Sequence, residues 1–215
     1  MSGAAAATQP DALREPWGSI RRQREAASFG TWVFLASEAL LFSGLILAFA
    51  FNRATHPEAF LAAGRETDVV FGTANTLVLL TSSLTMAVGA EAARAGARRW
   101  ALPAMALTVL LGLCFLTIKG FEWRQDFHEH LFPGAGFKLD QPAAQLFFAL
   151  YWCMTALHGL HVTGGLALIS FLTWQGWRGA RPLDSPAYEA AALYWHLVDI
   201  VWVFLYPLLY LGGRT

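Results

Sequence analysis

Blocks of apolar residues, each about 20 long, alternate along this chain with shorter polar connections, and that length is what crossing a hydrocarbon layer requires. Five such blocks are visible, at about Phe29–Phe51, Val69–Ala90, Ala101–Ile118, Ala143–Trp174 and Ala192–Leu211. The pattern predicts an all-α protein, an integral membrane bundle of five transmembrane helices. The fourth block exceeds a perpendicular crossing and should tilt or protrude. The connections carry loop formers: His56-Pro57 in the first, Pro133-Gly134, Gly136 and Pro142 in the third, and Gly176, Gly179, Pro182 and Pro186 in the fourth. Each is too short to hold a domain. The organisation is therefore a polar N-terminal tail, residues 1–28, and one membrane unit, residues 29–211.

Composition sharpens this picture. Of 215 residues, 56% are hydrophobic and 14% charged, against about a quarter charged in an ordinary soluble domain. The formal net charge is zero and no basic stripe is present, which argues against a nucleic-acid partner. The tail carries Arg14, Arg21, Arg22 and Arg24, and the block after it is longer than a signal-peptide core, so it reads as a retained first helix. Nine of the fifteen basic residues fall in the tail and in the second and fourth connections. That bias places the N-terminus in the cytoplasm and the C-terminus in the periplasm, as in a bacterial inner-membrane protein. Trp100, Trp123, Trp174, Trp177 and Trp195 lie near block ends, where an indole suits the interface. Trp32, Trp152 and Trp202 lie deeper and are expected to pack against helices. Cys114 and Cys153 form no ligand spacing and read as small buried hydrophobes.

A few ionisable residues sit inside the apolar blocks, where burial is expensive without a partner or a function. Glu38 lies ten residues into the first block, roughly 15 Å from its start. Hydrocarbon at that depth favours the neutral acid, either as a proton-handling group or as a hydrogen-bonding partner of a neighbouring helix. His158 and His161 are three apart and share a helix face, as do His196 and Asp199 on the next block. A carboxylate one turn from an imidazole can fix its tautomer. Metal or haem ligation by these histidines would need further ligands at a common depth, and His196 is offset from the other two by about one to two turns. A proton relay and interhelical hydrogen bonding are the other readings. Lys119 and Glu122 read as an interfacial ion pair with a snorkelling lysine. His128, Glu129 and His130 read as solvated loop residues. No phosphate loop, helical H-E-x-x-H or nucleophile elbow is present, so no catalytic centre assembles from this chain alone.

Five stretches in order resemble subunit III of the haem-copper respiratory oxidases: Phe29-Gly30-Thr31-Trp32-Val33-Phe34-Leu35-Ala36-Ser37-Glu38, Asn75–Ser83, Lys119-Gly120-Phe121-Glu122-Trp123, His158-Gly159-Leu160-His161-Val162, and Tyr194-Trp195-His196-Leu197-Val198-Asp199-Ile200-Val201-Trp202. The resemblance implies a subunit without a redox centre, companion to a subunit I that holds the haems and copper and to a subunit II. It implies support for proton uptake, for durable turnover and for bound phospholipid. Glu38 then matches the family's membrane carboxyl group. His158, His161, His196 and Asp199 match signature positions, with no metal role. Many members have two further spans at the front; five spans resemble the ubiquinol-oxidase type and some bacterial short forms. The expectation is a cytochrome c oxidase subunit. The alternatives are a ubiquinol-oxidase subunit, a nitric-oxide reductase accessory subunit or, in another class, a stand-alone membrane metalloenzyme using His158, His161 and His196.

Overall fold

The computed structural model describes residues 19–214, all of whose regular elements are helical. Up to residue 18 the polar tail lies outside the described residues; its last part already belongs to α1, Ile20–Thr55. There follow α2, Pro57–Arg65; α3, Val69–Arg94; α4, Arg98–His128; α5, Pro142–Arg178; and α6, Pro186–Tyr206, which widens into a π turn over Pro207–Leu211. All but α2 are long and apolar enough to cross a membrane, five in total, so the chain is an all-α multi-pass membrane bundle.

Local chemistry sets the boundaries. The Ser19 side chain accepts from the Arg22 amide, and Asp68 accepts from the amides of Val70 at 2.8 Å and Phe71 at 3.4 Å, satisfying donors that have no partner within the helix. Pro57, Pro142 and Pro186 occupy first turns, where a missing amide hydrogen costs nothing. Gly179 closes α5 in the left-handed region with φ 67°.

Besides α1, which begins nine residues before Phe29, three further features depart from the pattern-based expectation. The first connection contains α2, whose Ala59, Phe60 and Ala63 are buried. Phe60 packs edge-on against Phe49 and Phe147, with centroids 5.2 and 5.4 Å apart. Helix α4 continues ten residues past Ile118, because the charged positions 119, 122 and 126 fall on one face and are buried there. Helix α6 begins six residues early: Pro186 starts it rather than ending the loop before it.

Helices α3, α4, α5 and α6 form a closed ring in which each packs on the next and α6 returns to α3, while α1 lies outside against α5 and α6. Trp195 fills the centre at 0% exposure. Only glycines fit beside it: a Cβ on Gly112 would lie 2.8 Å from its ring, and one on Gly165 2.9 Å. Trp195 is thus a core residue, not the interfacial one expected from its place near a block end. Trp32 departs in the other direction, 59% exposed on the outer face of α1. Cys114 and Cys153 likewise face outward rather than inward, which an apolar side chain in a membrane protein does without penalty. Trp100, Trp174 and Trp177 are exposed near helix ends, as expected.

Candidate functional site

The polar side chains of the bundle gather at three levels. Glu38 is not isolated. Its Oε2 lies 2.7 Å from Nε2 of His161 on α5, both side chains being less than one-fifth exposed. Nδ1 of His161 lies 2.7 Å from the Leu157 carbonyl oxygen, which can only accept, so Nδ1 carries a hydrogen. Nε2 is then either bare and accepting from a protonated Glu38, or protonated and donating to the carboxylate. The pair is neutral overall in both forms, which differ only in where one proton sits. Tyr194 donates to the His161 carbonyl at 3.0 Å and stacks on Phe34, while Phe42 meets the imidazole edge-on, so the pair is held from three helices.

His158, one turn away, does not join it. It is 1% exposed, enclosed by Phe42, Phe115 and Trp202, and neither ring nitrogen has a hydrogen-bond partner within the chain. His196 is held differently from the expectation. Ser83 of α3, not Asp199, contacts its Nδ1, at 2.9 Å. Asp199 is 3% exposed, makes no geometrically sound hydrogen bond, and has that same Ser83 as its polar neighbour. The three histidines therefore face different surroundings. Among the described residues no three His, Cys, Asp or Glu side chains converge as metal ligands.

The third level corrects the reading of Lys119 and Glu122. They are 3% and 1% exposed and enclosed by protein, not snorkelling at an interface. The Lys119 ammonium has three hydrogens and three partners: Tyr151 OH at 3.0 Å, Tyr210 OH at 2.6 Å and Glu122 Oε1 at 3.0 Å. It meets Tyr151 and Tyr210 at their hydroxyl ends rather than over their faces, and lies 5.7 Å from the centre of the Trp202 ring, within cation–π reach. Tyr210 donates to Glu122 at 2.6 Å. Tyr151 OH lies 2.8 Å from both Glu122 Oε1 and Asp126 Oδ2. One hydroxyl hydrogen is shared between these two acceptors, and the second oxygen of Glu122 is buried without a hydrogen-bond partner in the chain.

Asp126, Tyr151 and Tyr210 were not singled out from the sequence. Asp126 follows Glu122 by four and Tyr151 precedes His158 by seven, so helical spacing could have found both. Tyr210 could not be found that way, because it reaches Lys119 through the π turn. His128 and His130 are exposed as expected, and Glu129 lies 3.7 Å from Lys138. Outside the spans, Lys138 contacts Glu66 at 2.6 Å; that hydrogen bond, above all, raises its pKa above the ordinary lysine value.

Five apolar membrane-crossing helices and an ion pair enclosed between them define a polytopic membrane protein. The chain belongs to the cytochrome c oxidase subunit III family, whose model matches residues 21–214. It is 32% identical to cytochrome c oxidase subunit 3 of Synechocystis over 85% of this chain and 74% of that one. It is 33% identical to the protein of the same name from Thermostichus vulcanus, over 86% and 87% of the two chains. It is also 29% identical to cytochrome bo(3) ubiquinol oxidase subunit 3 of Pseudomonas aeruginosa, over 86% and 84%.

Proposed function

We propose that this chain is the non-catalytic subunit III of a bacterial haem-copper terminal oxidase of the cytochrome c type, which it stabilises and whose proton uptake it supports. The observation that carries this reading is the family match over residues 21–214, which takes in every membrane-crossing helix. Relatives bearing the cytochrome c oxidase name support the cytochrome c assignment, and the Pseudomonas relative favours ubiquinol oxidase as the second reading. The haems and copper belong to partner chains, subunits I and II, and this chain holds none. The different surroundings of its three histidines support that assignment.

The Glu38–His161 pair suits proton handling, because its two forms exchange one proton without creating net charge in the membrane. The ligand class we assign to this chain is membrane phospholipid. An open crevice of about 470 Å³ lined by Gly30, Phe34, Leu35, Leu168 and Tyr194 fits an acyl chain. The site of action is the bacterial inner membrane, with the N-terminus cytoplasmic. The test is purification in mild detergent. The expected product is a complex with haem-bearing chains that consumes oxygen with reduced cytochrome c, while the separated chain contains no stoichiometric metal. Oxidation of a quinol instead selects the second reading. One equivalent of metal in the separated chain, lost in His158→Ala or His196→Ala, would overturn both.

A further inference from the structure

His196 is ten residues into α6, roughly 15 Å from its start, and the continuous span runs Pro186–Leu211, so the imidazole lies near mid-depth. The side chain is half-buried. Nδ1 is occupied by Ser83, while Nε2 is neither enclosed nor hydrogen-bonded. Whichever tautomer is present, Nε2 requires one polar partner, and hydrocarbon offers none. A polar group left unsatisfied at that depth is disfavoured, because no water is there to answer it.

The surroundings form a continuous surface. Leu80 of α3 and Ile200 and Val203 of α6 are exposed beside His196 at 49%, 54% and 45%. Toward the C-terminal end of α6 the same seam carries an exposed hydrogen bond of 2.7 Å between Thr73 and the Tyr206 hydroxyl. The outer face of α4 offers the contrast. Leu107, Leu110 and Leu113 are exposed there, and the Thr117 hydroxyl returns to the Leu113 carbonyl at 2.8 Å, leaving nothing to satisfy. Glu38 is different again, since its carboxyl group is answered by His161 within the chain.

We infer that the α3–α6 seam centred on His196 is the surface on which this chain docks to another subunit of its oxidase, and that the occupant is a transmembrane helix with a polar side chain at mid-depth that hydrogen-bonds Nε2 of His196. This rests on membership of an oxidase complex, for which the family relation speaks, and specifies which face is used and by what chemistry.

The experiment places a photoreactive amino acid at Ile200 of the full chain in its native membrane, with Leu110 on the α4 face as control. Crosslinked products are identified by mass spectrometry after purification of the complex. The expected result is a crosslink from Ile200 to a membrane helix of another oxidase subunit, and only lipid adducts from Leu110. Retention of the chain on the complex in detergent should also fall about three- to tenfold in His196→Leu, and less in His196→Gln, which keeps a hydrogen-bonding group at that depth. Lipid adducts alone at Ile200 in an intact complex, a crosslink from Ile200 to a second copy of this chain, or undiminished retention of His196→Leu would each overturn the docking assignment and leave the subunit reading standing. A chain that co-purifies with no other oxidase subunit would overturn both.

Discussion

Lys119 shows how single residues govern this molecule, because its charge is fully enclosed yet every one of its hydrogens is used. Removing one member of such a pair leaves the other buried and unanswered, which typically costs ~3–5 kcal/mol, whereas neutralising both sides costs far less. Lys119→Met should therefore sharply lower the unfolding temperature of the purified protein in detergent. Lys119→Met with Glu122→Gln should regain much of the loss; equal destabilisation of the single and double variants would refute the pairing. Glu38 invites a different measurement. Its carboxyl group shares one proton with His161 and is partly exposed at the bundle surface, whereas Glu122 and Asp126 are 1% and 6% exposed. A hydrophobic carbodiimide, which attacks protonated carboxyl groups, should label the peptide bearing Glu38 and spare the one bearing Glu122 and Asp126. Glu38→Gln should abolish labelling but leave assembly intact, because an amide can still donate to a bare Nε2. If Glu38 delivers protons, the variant's turnover should fall mainly at high pH, where uptake limits; a flat ratio to wild type across pH would assign the pair to packing alone.

At the scale of elements, the sequence announced the five spans because each contains a continuous apolar run, and the structure finds all five. It hid their ends. Lys119, Glu122 and Asp126 resemble the start of a loop, yet they extend α4 because Tyr151 and Tyr210 supply partners from other helices, which periodicity along one helix does not reveal. Helix α2 was hidden for a similar reason: only nine residues long, it becomes legible once Phe60 is seen between Phe49 and Phe147. Glu38 and His161 were each legible as membrane polar residues, but their pairing across 123 positions was not. The α4–α5 connection is fixed by Lys138, whose ammonium bridges Glu66 at 2.6 Å and Glu129 at 3.7 Å. Its folded-state pKa lies above the ordinary lysine value of 10.5, so its contribution is complete below that pH and is lost as pH rises through the raised value. The Lys138 side chain is 43% exposed, and such pairs contribute about 1 kcal/mol at most. Lys138→Met should lower the unfolding temperature slightly at neutral pH, and the difference from wild type should vanish above the raised lysine value. A difference that persists there would mean that the aliphatic stem, not the charge, does the holding.

At the scale of the whole molecule, the five membrane-crossing helices among the described residues put the start of α1 and the end of the π turn on opposite sides of the membrane. Contacts confirm which parts share an end. Arg53 near the end of α1 and Arg65 at the end of α2 donate to the carbonyls of Gly212 and Gly213, so the C-terminal segment lies where α1 finishes. At the other end Arg98 donates to the Trp177 carbonyl at 2.7 Å and Arg94 lies 3.7 Å from Glu189, joining the α3–α4 turn to the α5–α6 connection. That second end gathers Arg94, Arg98, Arg99, Arg178 and Arg181 within a few residues of helix termini, and Arg21 and Arg22 in the first turn of α1 lie at the same end. The first end keeps Arg53, Arg65, Arg124, Lys138 and Arg214. Lys119, counted there from sequence alone, is enclosed by protein and drops out, because a charge neutralised inside the bundle does not resist translocation as a loop charge does. The asymmetry is therefore larger than the sequence count implied, and it favours retention of the arginine-rich end in the cytoplasm. A reporter active only in the periplasm should be active when fused after Thr215 and silent when inserted within Arg94–Arg99, and a cytoplasmic reporter should show the converse. Reversal at both positions would invert the protein in the membrane. It would move Lys138 and Glu66 to the cytoplasmic side and leave the arginine-rich end exposed to the periplasm.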